Sequence, residues 1–178
     1  MTKFHSPGLL VLFSVLLFLT GCASPAQKEA VVVRNLPVDI RHEKSVSVRT
    51  QGGRDTSAMS ASSMSNSDLK KALEDSLIAT NLFARVVQSE SSDYQLSVSV
   101  VSMSNPAFGA SFTVDLEAAW SLVELTTGAV VMREVVKSSY TATMSDALVG
   151  VTRFRLAVEG AVKDNIRQGL LLLSNLEL

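Results

Sequence analysis

Between residues 93 and 122, two successive runs alternate apolar and polar side chains with a period of two, the pattern of half-buried β-strands, and a third apolar-rich run follows them. In "DYQLSVSVVSM", Tyr94, Leu96, Val98 and Val100 share one face, and Gln95, Ser97 and Ser99 the other. In "SFTVDLEAAWSL", Phe112, Val114, Leu116, Ala118, Trp120 and Leu122 point one way, and Thr113, Asp115, Glu117 and Ser121 point back. The third run, "AVVMREVVKSSYTA", follows Thr126-Thr127-Gly128. One dry face and one wet face on consecutive strands predict an antiparallel sheet covered on a single side.

The short connection also predicts a register. A three-residue hairpin loop with Gly128 in the left-handed position sets Glu117 opposite Lys137, Leu122 opposite Met132 and Val114 opposite Tyr140. These are one ion pair and two apolar pairs, so the register is self-consistent. It also sets Glu134 against Trp120 on the dry face, and a bulge near Glu134–Val135 is expected to resolve that conflict.

Other elements frame these strands. "KSVSVRT", from Lys44 to Thr50, reads as a first strand, and "RVVQ", Arg85 to Gln88, as a short one. The Gly/Ser/Met-rich stretch after Thr50 has no periodicity and is expected as a loop, with Met59 and Met64 as adaptable contacts. A helix begins where Ser65 precedes Asp68 at capping-box spacing. Leu69, Ala72, Leu73, Ser76 and Leu77 form its apolar face, and Asn81 is a left-handed stop with Leu82 and Phe83 folding back.

A second helix is expected from near Thr143, with Asp146 three residues on. Its stripe is Val151, Phe154, Val158, Val162, Ile166, Leu170 and Leu173, and its solvated side Arg155, Glu159, Lys163 and Arg167. Gly150, Gly160 and Gly169 interrupt it, which close packing on a sheet would explain. The expected class is α+β: a two-layer sandwich of a mostly antiparallel sheet, about four to five strands, with two helices packed on one face.

The start of the chain has another purpose. Lys3 precedes an apolar run from Leu9 to Leu19, shorter than the ~20 residues that cross a bilayer. The run stops at Leu19-Thr20-Gly21-Cys22, which resembles the lipobox of bacterial lipoproteins: an aliphatic residue, two small ones, then cysteine. The resemblance implies cleavage between Gly21 and Cys22, with diacylglycerol on the Cys22 thiol and an N-acyl chain on its amine. Several acyl chains on one residue anchor stably where a single chain does not. Ala23 and Ser24 follow, without the aspartate that resembles an inner-membrane retention signal, so the outer membrane is expected. The expected organisation is a signal peptide over 1–21, a lipidated tether over 22–43, and a periplasmic domain over 44–178.

Composition excludes several chemistries. With 16 Lys+Arg against 17 Asp+Glu and no blocks of like charge, the chain lacks the basic footprint of a nucleic-acid binder. A single cysteine excludes an internal disulfide framework and a cysteine zinc site. His5 lies in the signal segment, leaving His42 alone, and no G-x-S-x-G surrounds a serine. No metal site and no cofactor beyond the acyl chains on Cys22 is expected. Asp115 and Glu117 read as a solvated sheet face with Lys137 as counter-charge. Together with Phe108 in the Pro/Gly loop "NPAFGASF", they are the candidate partner contacts.

In element order, residues 44–174 resemble the small periplasmic α+β domains of outer-membrane lipoproteins, those of lipopolysaccharide assembly and of penicillin-binding-protein activation among them. The amino-terminal domain of the Tol-system propeller protein is similar in layout. The resemblance implies a non-enzymatic interaction module with an envelope protein as partner and the membrane reached through its lipid. A lipid or glycan carrier, which needs an open apolar cavity between sheet and helices, and an envelope enzyme with clustered titratable groups are the alternatives.

Overall fold

A computed structural model of the chain describes residues 26–37, 40–52, 64–88, 91–104, 106 and 109–178. Gly21, Cys22, Met59 and Phe108 lie outside the described residues. The elements are α1 (Lys28–Val31), β1 (His42–Gln51), α2 (Asn66–Thr80), β2 (Phe83–Val86), β3 (Tyr94–Met103), β4 (Phe112–Glu124), β5 (Val130–Ala142) and α3 (Gly150–Ser174). The five strands form one sheet in the order β2-β1-β3-β4-β5. The α+β class holds, with a mixed sheet: β3, β4 and β5 pair antiparallel, while β1 runs parallel to both of its neighbours. A parallel neighbour needs a crossover, and α2 supplies it between β1 and β2.

The hairpin register is the expected one, with Glu117 opposite Lys137, Leu122 opposite Met132 and Val114 opposite Tyr140. Gly128 takes φ 72° in the turn. The bulge is not at Glu134–Val135 but between Leu122 and Val123, beside the turn. Glu134 therefore stays opposite Trp120, yet it is exposed while Trp120 is fully buried. β5 is an edge strand, and a charge pointing inward on an edge discourages further pairing.

The core lies between the sheet and α2 and α3. Trp120, Leu73, Leu77, Leu82, Leu96, Leu122, Ile166, Leu170 and Leu173 fill it, each less than 2 % exposed. Ser65 caps α2 by accepting the Asp68 backbone N–H at 3.1 Å, and Asn81 closes it at φ 51°. The short strand begins at Phe83, two residues before the expected one, because Leu82 and Phe83 are already buried against α2.

The start of α3 differs from expectation. Thr143 and Asp146 do form half of a capping box, with the Thr143 N–H and hydroxyl both donating to Asp146 Oδ2 at 2.7 and 2.8 Å. That box closes an isolated turn, and the helix begins only at Gly150. Arg153 holds the intervening loop, its Nη1 donating to the carbonyls of Ala147 and Leu148 at 2.9 and 2.7 Å. Two of the three α3 glycines answer to packing. A Cβ on Gly169 would lie closer than 3.0 Å to the Trp120 ring, and one on Gly160 equally close to Tyr140.

The stretch expected as a tether enters the core well before residue 44. Ala26, Val31, Val32 and Val33 are each at most 5 % exposed. The Gln27 N–H donates to Glu159 Oε1 at 2.9 Å, and the Val33 N–H to Ser76 Oγ at 3.0 Å. This covers Glu159, which sequence periodicity had placed on a solvated face. The segment runs alongside α3 in the same direction: Gln27 at Glu159, Ala30 lining a groove with Lys163 and Arg167, and His42 against Leu173.

Candidate interaction surface

Neither helix covers the second face of the sheet, and the strand registers arrange its residues in rows. Arg49, Ser97, Ser121 and Arg133 stand side by side across four strands. The next row is Gln51, Ser99, Ala119 and Val135. Ser97, Ser99, Ala119 and Ser121 give the middle of this face a low relief, because none extends beyond a hydroxyl. Val135 is 55 % exposed, and Val101, lifted out by the irregularity between Val100 and Ser102, is 60 % exposed. Serines and alanine make a shallow floor, and the valines make apolar rims.

The expected contact residues lie on the same face, Glu117 and Lys137 one row further and Asp115 two. Lys137 Nζ and Glu117 Oε1 are 2.7 Å apart, and Asp115 Oδ1 accepts the Ser139 hydroxyl at 2.7 Å. Beyond them Thr113 and Thr141 pair their hydroxyls at 2.8 Å. So the structure brings Asp115, Glu117 and Lys137 together on one open surface. Val101 and Val135 were missed by sequence reasoning, although the period-two pattern already gives Val135 the parity of Arg133 and Lys137.

These groups offer no assembled acid–base pair: Asp115 is engaged by a neutral hydroxyl and Glu117 by a cation. Among the described residues no cluster of three His, Cys, Asp or Glu stands at metal-binding distance. His42 is structural here. It opens β1, 4 % exposed, with Nε2 at 2.9 Å from the Leu173 carbonyl and its ring against Phe83. Asp93 is a polar staple between strands. Its Oδ2 accepts the Ser45 N–H and hydroxyl at 2.7 and 2.6 Å, and these bonds hold its pKa below the ordinary 3.8. The Thr143 N–H and hydroxyl lower the Asp146 pKa in the same way.

A groove of about 650 Å³ runs outside the sheet–helix interface, between α1, β5 and α3. Its walls mix Glu159, Lys163, Asp164 and Arg167 with Ala30 and Tyr140. A second groove of about 310 Å³ adjoins it through Ala30, Lys163 and Arg167. Neither is the apolar cavity between sheet and helices that a lipid carrier of this layout requires.

No known family model matches the chain, and no curated protein matches it in sequence. Solved structures share its fold. A Xanthomonas campestris protein of family DUF330 superposes with a TM-score of 0.59 at 14% identity, covering 80% of this chain and 88% of that one. A hypothetical protein from Chlamydia trachomatis gives 0.52 at 6% identity, covering 74% and 98%. The PelC dodecamer from Paraburkholderia phytofirmans gives 0.50 at 16% identity, covering 80% and 95%. At these identities the likeness is one of fold.

Proposed function

We propose that the chain is an outer-membrane lipoprotein whose domain serves, without catalysis, as a periplasmic protein-interaction module in envelope assembly or maintenance. The observation that carries the anchor is Leu19-Thr20-Gly21-Cys22, closing an apolar run of signal-peptide length at the only cysteine. The lipid on Cys22 is diacylglycerol with an N-acyl chain, and Ala23 and Ser24 favour export to the outer membrane. The sheet face turned away from α2 and α3 supports the interaction half of the reading, with Val101 and Val135 exposed on it. Its low floor of Ser97, Ser99, Ala119 and Ser121 between Val101 and Val135 suits a flat partner surface, with Glu117 and Lys137 at the border as orienting charges. The PelC structure that shares the fold is a dodecamer, so a second copy of the chain is the other partner considered for this face.

In-cell photocrosslinking from positions 119 and 135, with mass spectrometry of Cys22 and membrane fractionation, tests the proposal. Acylated Cys22, outer-membrane recovery and one stoichiometric envelope protein captured from both positions support it. Crosslinks only between copies move the reading to self-assembly. Bound lipid or glycan without a protein partner replaces it with a carrier, and an unmodified Cys22 removes the anchor.

A further inference from the structure

The end of the molecule where α3 begins carries large apolar side chains in water. Leu148 is 82 % exposed, Val149 59 %, Met144 53 % and Val151 38 %. They are not a frayed loop. Asp146 accepts both donors of Thr143, and the carbonyls of Ala147 and Leu148 are held by Arg153, itself 6 % exposed and stacked 5.7 Å over the Phe112 ring. The fold thus fixes the backbone around residue 148 and still leaves its side chain outside.

The N-terminal segment says what covers this tip. It lies along α3 with its first described residues, Ala26 and Gln27, beside Glu159, and it reaches the far end of α3 only at His42. Followed backwards from His42 to Ala26, it runs toward the start of α3. Asp146 of the tip and Ala30 of the segment line the same groove, with Leu156 and Glu159 between them. Glu159 is about 12 Å along the helix from Val151 at 1.5 Å per residue. Cys22 is four residues before Ala26, a reach of at most about 14 Å. A lipid carried on Cys22 is therefore attached within about 14 Å of Ala26, close enough to lie over the exposed apolar tip.

We propose that the tip formed by Met144, Leu148, Val149 and Val151 inserts into the bilayer surface beside the lipid anchor. This rests on the lipoprotein reading of Cys22. The contact is apolar: the adjacent groove sets Asp146, Glu159 and Asp164 beside Lys163 and Arg167 and so carries no excess of positive charge, and docking does not depend on anionic headgroups. It fixes an orientation. The β4–β5 turn at Thr126 lies at the other end of β5, about 40 Å away at 3.4 Å per residue, and points into the periplasm.

The test uses the full-length, lipidated chain reconstituted in phosphatidylethanolamine/phosphatidylglycerol vesicles. Leu148→Cys and Thr126→Cys provide single labelling sites, since lipidation consumes Cys22, and each takes an environment-sensitive fluorophore. The expected result is a blue shift at 148 and loss of its emission to nitroxides on the upper acyl chains, the depth of interfacial side chains being ~5–10 Å. The label at 126 stays aqueous and unquenched, and raising salt changes neither. Equal aqueous spectra at both sites, in protein whose Cys22 mass shows acylation, overturn the tip and leave the anchor intact. A label at 148 that is buried but unreachable by nitroxide lipids overturns it in favour of a protein contact. An unacylated Cys22 overturns the anchor and the tip together.

Discussion

Gly169 in α3 faces the ring of Trp120, the only tryptophan in the chain and a fully buried one. Gly169→Ala puts a methyl group closer than 3.0 Å to three ring atoms. The ring has nowhere to go. Its Nε1–H donates to Asn165 Oδ1 at 3.0 Å, and Asn165 in turn donates to the Val136 carbonyl at 2.9 Å. Alanine gains about 1 kcal/mol of helix propensity over glycine. Overpacking a filled core costs about 1–3 kcal/mol, and a broken Trp120–Asn165 bond adds about 1 kcal/mol. The net is a loss of about 2 kcal/mol, or roughly 5 °C in Tm for a chain of this size.

Two other glycines in the same helix serve as internal controls. At Gly160 the obstructing ring is Tyr140, which is 43 % exposed, so a χ1 rotation toward solvent relieves the clash without repacking the core and Gly160→Ala should cost less than Gly169→Ala. At Gly150 an added Cβ meets only ordinary contacts at 3.7 and 3.9 Å, and alanine should stabilise by up to about 0.5 kcal/mol. Thermal and urea unfolding of the detergent-solubilised full-length protein, followed by Trp120 emission, measures all three. A Gly169→Ala protein as stable as the parent would refute the packing of α3 on Trp120.

Three further outcomes follow from the same contacts. Asn165→Ala strands the Trp120 Nε1–H and the Val136 carbonyl, and should cost about 3 kcal/mol in urea unfolding. A chain that starts at Lys44 loses Val31, Val32 and Val33 from the core, on the order of 5 kcal/mol of buried apolar surface, and should show the circular dichroism of a largely unfolded protein. Asp93 has a folded pKa below its ordinary 3.8, so its contribution is fully present above that pH and is lost as pH falls through the folded value. Asp93→Asn should flatten the acid limb of a stability–pH profile below about pH 4, and an unchanged limb would count against the Ser45 staple.

Legibility followed the range of the interaction. The β4–β5 register was readable because Gly128 fixes the turn and every later pair follows from a period of two. Glu134 defeated the same logic: an inner-face position is buried only if something covers it, and coverage at the sheet edge is decided by where α3 lies. Thr143 and Asp146 satisfied a local helix-start rule that the chain uses to close a turn, because Arg153 secures the next carbonyls instead. The burial of Val31 to Val33 depends on Ser76 and Glu159, 43 and 132 residues away along the hydrogen-bonded pairs, and no local pattern encodes that. Of the candidate surface, Asp115, Glu117 and Lys137 were legible from strand parity. The parallel neighbours of β1, which widen that face, were not.

The docked N-terminal segment sets a working radius. With Val31 to Val33 locked into the core, the leash between Cys22 and the folded body is four residues, not the twenty or so of a free tether. On the proposed anchoring, the domain does not patrol the periplasm but moves only within the plane of the membrane that holds it. A partner must come to it, in the same leaflet or pressed close against it, and finds a face already presented near one angle. Such a binder gives up little rotational freedom on capture, so a modest interface is sufficient.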